Sequence, residues 1–118
     1  MTYEDSQGSF RRKYPRRKFQ RRVSVLHQGH YFLADSEEIG EGGMALLLPE
    51  SLKENDQLVV NFRIPSGDFV SLRAEVRSVR AADGGFHHGI AFRDIVFTHK
   101  RQIRTYVSAR TSREKLLI

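Results

Sequence analysis

The sequence predicts a small antiparallel β-barrel or sandwich covered by one C-terminal helix. Three observations support that class. Short runs of alternating apolar and polar residues recur through the middle of the chain, turn signals separate them about every ten residues, and the last segment switches to helical spacing.

Val23 and Val25 open the first alternating run, Gln28-Gly29 makes a tight hairpin turn, and Tyr31 to Leu33 resumes extended chain. Further on, Leu58, Val60, Phe62 and Ile64 share one face of a strand, and Pro65-Ser66-Gly67-Asp68 turns the chain. The answering strand places Val70, Leu72, Ala74 and Val76 opposite Ser71, Arg73, Glu75 and Arg77. Val79 falls out of that parity, which predicts a β-bulge near Ser78 and a curved sheet. Asp83-Gly84-Gly85 forms another hairpin, and Phe86, His88, Ile90 and Phe92 make the next inward set. Thr98 is placed as the helix N-cap, because Ile103, Tyr106 and Val107 then recur at helical spacing.

A chain of 118 residues is one domain. We place a flexible tail at residues 1–13 and the folded unit at 14–112. That unit includes a basic arm, 14–22, and a helix over about 98–112; residues 113–118 form a short tail. Without cysteine the chain has no disulfides and no thiolate metal sites. It carries no apolar run near the roughly 20 residues of a membrane span and no apolar segment of a secretory signal, so a cytoplasmic protein is expected. His27 and His30 flank a hairpin turn while His87 and His88 point to opposite faces of a strand, so neither pair makes a metal site. No nucleophile, base and orienting group occur in a recognisable arrangement, so an enzyme is not expected.

The net charge of +6 is unevenly spread. Residues 11–22 hold eight of the 20 Lys and Arg and no acid, which leaves 12 bases against 14 acids elsewhere. One basic arm, with a mildly basic segment from Lys100 to Lys115, argues for a local anion site. A nucleic-acid-binding face would show a basic stripe across the domain.

Within the arm, Arg17 and Arg21 carry planar guanidinium forks that pair with phosphate oxygens and stack on flat bases. The same cluster also reads as a solvated basic tail. The stretch "SEEIGEGGMALLL", Ser36 to Leu48, has Gly40, Gly42 and Gly43, which leave backbone N–H groups open to a planar ligand and permit positive φ. Glu38 offers a carboxylate suited to the paired N–H donors on the edge of guanine. By itself this stretch also reads as an ordinary turn between strands.

Together the two segments resemble the PilZ family of bacterial cyclic di-GMP receptors. "RRKFQR" fits the family's Arg-x-x-x-Arg arm with Arg17 and Arg21, preceded by Arg16. "EIGEGG" places Glu38, Gly40 and Gly43 at its second motif, and "HHGIAF" resembles its late Gly-aliphatic-x-Phe strand. The likeness runs from about residue 14 to residue 110.

The resemblance implies a six-stranded antiparallel β-barrel with a C-terminal α-helix. It also implies a ligand site of Arg16, Arg17, Arg21, Arg22, Glu38, Gly40 and Gly43. The implied ligand is cyclic di-GMP, with the polar residue ahead of the motif pointing to an intercalated dimer. Binding would order the arm, residues 1–22, and signal to a protein partner. Glu38 stands where a shorter acid or amide is usual, and Gly40 where Ser or Ala is usual. Family members with eroded motifs act as adaptors between proteins, the alternative reading for this chain.

Overall fold

The computed structural model describes residues 14–117, with side chains through Ala109. The tail placed at residues 1–13 lies outside the described residues. The strands are β1 (Arg16–Lys18), β2 (Arg22–His27), β3 (His30–Gly40), β4 (Gly43–Leu48), β5 (Gln57–Arg63), β6 (Phe69–Ala82) and β7 (Gly85–Arg93), followed by helix α1 (Phe97–Leu117).

Local chemistry sets the hairpins where the sequence predicts them. Gln28 and Gly29 take φ of 51° and 81°, the left-handed pair that a two-residue turn between twisted strands requires. They bring His27 opposite His30. Ser66, at φ 59°, turns the chain between β5 and β6, and Gly84 and Gly85, at 82° and 147°, turn it between β6 and β7.

Strands β3, β2, β5, β6, β7 and β4 are neighbours in that order, and β4 pairs back onto β3. The result is a closed six-stranded antiparallel barrel. The short β1 adds to β3 beyond the end of β2, with Arg16 opposite Gly40 and Lys18 opposite Glu38. Closure leaves few open sheet edges.

The interior holds the predicted alternating set: Leu58, Val60, Phe62 and Ile64 from β5 and its turn, and Val70, Leu72, Ala74 and Val76 from β6, are all buried. The bulge near Ser78 is present, since the β6–β7 register shifts between Val76 and Ser78. Val79 thereby turns back toward the core. Ile103 and Val107 of α1 are buried in the same cluster, with Tyr106 packed against it.

Two details differ from expectation. The helix starts two residues earlier than an N-cap at Thr98 predicts: the Lys100 N–H donates to the Val96 carbonyl at 3.0 Å, which puts Val96 at the cap and Thr98 inside the first turn. The helix also continues to Leu117, past the end expected at about residue 112.

His88 occupies the core, 1% exposed. Its Nδ1–H donates to the Phe86 carbonyl and its Nε2 accepts from the Leu52 N–H, each at 3.0 Å. Both ring nitrogens are therefore satisfied in the neutral form. Burial holds its pKa below the ordinary 6.5, with the charge of His87 adding to burial and the Phe86 bond opposing it. The unfolded chain takes up this proton near 6.5 and the folded chain only at lower pH. Stability therefore falls as pH drops below about 6.5. Thermal melts from about pH 7 to pH 5 should show that loss in the wild type. His88→Gln, which does not titrate, should flatten it.

Candidate functional site

Strand alternation decides where each arginine of the arm points. Phe19 is the apolar residue of the arm, and it enters the core at 2% exposure. Its ring meets Phe62 and Tyr106 edge-on at 5.7 and 6.0 Å. Arg17 shares its parity and lies under α1, where its guanidinium donates to the Tyr106 carbonyl at 2.9 Å and sits 3.9 Å from the Tyr106 ring centre. Tyr106 answers by donating its hydroxyl to the Lys18 carbonyl at 2.8 Å. Arg21 lies 5.6 Å from the Phe19 ring, and the exposed Arg22 faces Asp35 at 3.6 Å. The buried Ser36 hydroxyl accepts from the Arg21 N–H at 3.1 Å and reaches the carbonyls of Phe19 and Arg21. Residues 19–21 are thus fastened to β3.

Arg16 and Lys18 take the opposite parity. With Gln20 they line one side of a surface pocket of about 480 Å³. Arg16 approaches Glu38 at 3.5 Å, so these two expected site residues meet in the pocket. Arg17, Arg21 and Arg22 do not line it.

The pocket exists because two bulges interrupt the alternation. The β3–β4 register shifts between Ser36 and Glu38, so Ser36 points inward while both Glu37 and Glu38 reach the pocket. The β6 bulge does the same for Ser78 and Arg80, which continued alternation would have sent into the core. Between them Ala45 and Gly89 keep the floor low: Glu38 pairs with Ala45, Ala45 with Gly89 and Gly89 with Ser78. His87 stands beside this floor, its Nδ1 2.7 Å from a Glu37 carboxylate oxygen.

The glycines of the loop serve close approach. None of Gly40, Gly42 and Gly43 adopts positive φ, contrary to the conformational freedom expected of them. A Cβ on Gly40 would lie 2.8 Å from the Pro15 carbonyl oxygen, and one on Gly43 would lie 2.0 Å from that of Ile90. Gly40 thus gives the arm its seat on β3, and Gly43 lets β4 pack against β7. Next to them the 7% exposed Glu41 accepts a forked pair of bonds from Arg104 at 2.9 and 3.0 Å. Those bonds hold its carboxyl below the ordinary 4.5 and tie α1 to the loop.

The sequence assigns none of Glu37, Ser78, Arg80 and His87 to the ligand site, yet all four line the pocket. The broken parity at Val79 was the available signal for Ser78 and Arg80, because a one-residue bulge reverses every side chain after it. Glu37 gave no such sign, since the inward residue before it is the polar Ser36.

The PilZ domain profile matches residues 10–109. The chain belongs to the PilZ domain family. No curated protein matches it significantly. Solved structures with the same fold include the Bacillus subtilis inhibitor of motility, MotI/DgrA, at TM-score 0.78 and 18% identity, covering 86% of this chain and 52% of that one. Escherichia coli YcgR in complex with c-di-GMP superposes at TM-score 0.68 and 21% identity, covering 90% and 49%. The K. pneumonia MrkH–c-di-GMP complex does so at 0.69 and 18%, covering 91% and 55%. This PilZ domain spans about half the length of these proteins. Among its described residues no helix is long and apolar enough to cross a membrane, and no cluster of metal-ligating side chains occurs.

Proposed function

We propose that this PilZ domain is a cytoplasmic receptor for cyclic di-GMP that reports binding through its arm and α1 to a protein partner. The observation that carries this reading is the meeting of Arg16, Lys18 and Glu38 at one pocket, in a family whose solved relatives YcgR and MrkH are described with c-di-GMP. The cations suit phosphate, and Glu38 suits the donor edge of guanine. No bond is made or broken.

Neither Arg17 nor Arg21 lines the pocket, so their use as ligand contacts gives the mechanism a defined step. Three-residue β1 peels from β3 and gives up its strand alternation, so Arg17 leaves Tyr106 and joins Arg16 and Lys18 on the ligand, and α1 loses one hydrogen bond and one cation–π contact. Phe19, buried and edge-on to two rings, bounds the movement. The segment before it rearranges while the backbone of residues 19–22 stays in place and the exposed Arg21 reaches the ligand by its side chain alone, a narrower change than ordering of all of residues 1–22.

Titration calorimetry tests the reading, with GTP and a short oligonucleotide as comparators. Saturable binding of cyclic di-GMP at micromolar Kd or tighter is expected, weakened about 100-fold or more in the Arg17→Ala, Arg21→Ala double variant. The molar ratio separates one bound molecule from an intercalated pair. Equal, salt-sensitive binding of the oligonucleotide would instead make the arm a nucleic-acid contact. No heat from a folded protein would favour the adaptor reading. That second reading draws on the outer face of the β2–β3 hairpin, where Leu26, Tyr31 and Leu33 are exposed.

A further inference from the structure

The pocket has a second wall that neither the arm motif nor the glycine loop supplies. Arg80 and Ser78 come to it through the β6 bulge, and His87 stands opposite Arg80 in the β6–β7 register. Glu37, brought out by the β3 bulge, holds His87 by Nδ1 at 2.7 Å and leaves Nε2 as the ring's open polar atom. Among the described residues neither Arg80 nor Lys18 has an ion-pair partner. The acids at the pocket are engaged from within it, Glu38 by Arg16 and Glu37 by His87. The floor between the two walls is formed by Ala45, Gly89 and Ser78. A Cβ on Gly89 would come 2.7 Å from the Ser78 Oγ, so a side chain there would crowd this floor.

Cations without partners at two sides of one low-floored pocket match a flat ligand that carries negative charge at two places. We propose that Arg80 and the Glu37-held His87 form a second ligand-binding wall facing Arg16 and Lys18. Arg80 takes one phosphate of cyclic di-GMP and the arm takes the other, while His87 Nε2 contacts the ligand between them. This rests on the receptor reading above and assigns to it residues outside both of its sequence motifs. Two bulges in non-adjacent strands converge on the same surface, and each is needed to bring one side of this wall outward.

The experiment is calorimetric titration of the full chain with cyclic di-GMP, comparing the wild type with Arg80→Ala, His87→Ala and Arg77→Ala. Arg77 is exposed on the same strand but does not line the pocket, so its loss controls for net charge. Expected are Kd values weakened about tenfold or more for Arg80→Ala, and by several-fold for His87→Ala. Arg77→Ala should leave Kd unchanged, and unaltered melting temperatures should show that each variant is folded. Tight wild-type binding with Arg80→Ala and His87→Ala unaffected would overturn the second wall and leave the receptor reading standing. So would an equal loss in Arg77→Ala, because the effect would then be bulk charge. No binding by the folded wild type would remove the receptor reading, and the second wall with it.

Discussion

Phe19→Ala should destabilise the domain by about 3–5 kcal/mol and release the arm from the barrel. The ring is 2% exposed and lies within one aromatic cluster with Phe62 and Tyr106. Truncation removes its burial and leaves a cavity that strand backbone cannot readily close. It also removes what holds the arm's parity. Without Phe19 inside, nothing apolar keeps Arg17 under α1, and the Arg17–Tyr106 and Tyr106–Lys18 contacts depend on that placement. Urea unfolding measures the first effect and amide exchange at residues 16–18 the second. A loss under about 1 kcal/mol would mean that the arm is not part of the cooperative core. Phe19→Leu, which keeps most of the volume, should recover much of the stability.

The arm also shows what could be read from sequence and what could not. The hairpins were legible because turn chemistry and apolar alternation agree at Gln28-Gly29 and Gly84-Gly85. The β6 bulge was legible because a buried strand cannot change parity without one. In the arm, charge masked the alternation. Eight basic residues in twelve positions look alike as an anion site, yet the structure sends Arg16 and Lys18 to the pocket and Arg17 to the helix. Phe19 held that information, since its parity fixes Arg17 on the inner side. The β3 bulge left no trace, because buried Ser36 is polar and is satisfied by the arm's own backbone. The pocket wall at Arg80 and His87 was out of reach for a related reason. It is assembled from strands whose register depends on both bulges, a tertiary property that no local pattern carries.

Gly43→Ala should lower stability by about 3 kcal/mol, more than loss of a ligand contact alone would explain. The sequence reading gave Gly43 to the nucleotide loop. In the structure its Cα faces β7 so closely that a methyl would lie 2.0 Å from the Ile90 carbonyl oxygen and 3.1 Å from the Ala91 Cα. Both obstacles are backbone, so no side-chain rotation relieves them. The strands must separate where Gly43 pairs with Ala91 and the Phe92 N–H donates to the Gly42 carbonyl at 2.9 Å. Gly40→Ala makes the informative comparison. Its added Cβ meets Pro15 of the arm at 2.8 Å, and the arm can move aside, so the barrel should keep most of its stability while β1 is displaced. Urea unfolding of the two variants therefore separates two roles for neighbouring glycines. A large loss at Gly43 and a small one at Gly40 would assign Gly43 to barrel closure and Gly40 to seating the arm. Equal, small losses would return Gly43 to the ligand loop, where its effect should then appear in cyclic di-GMP affinity.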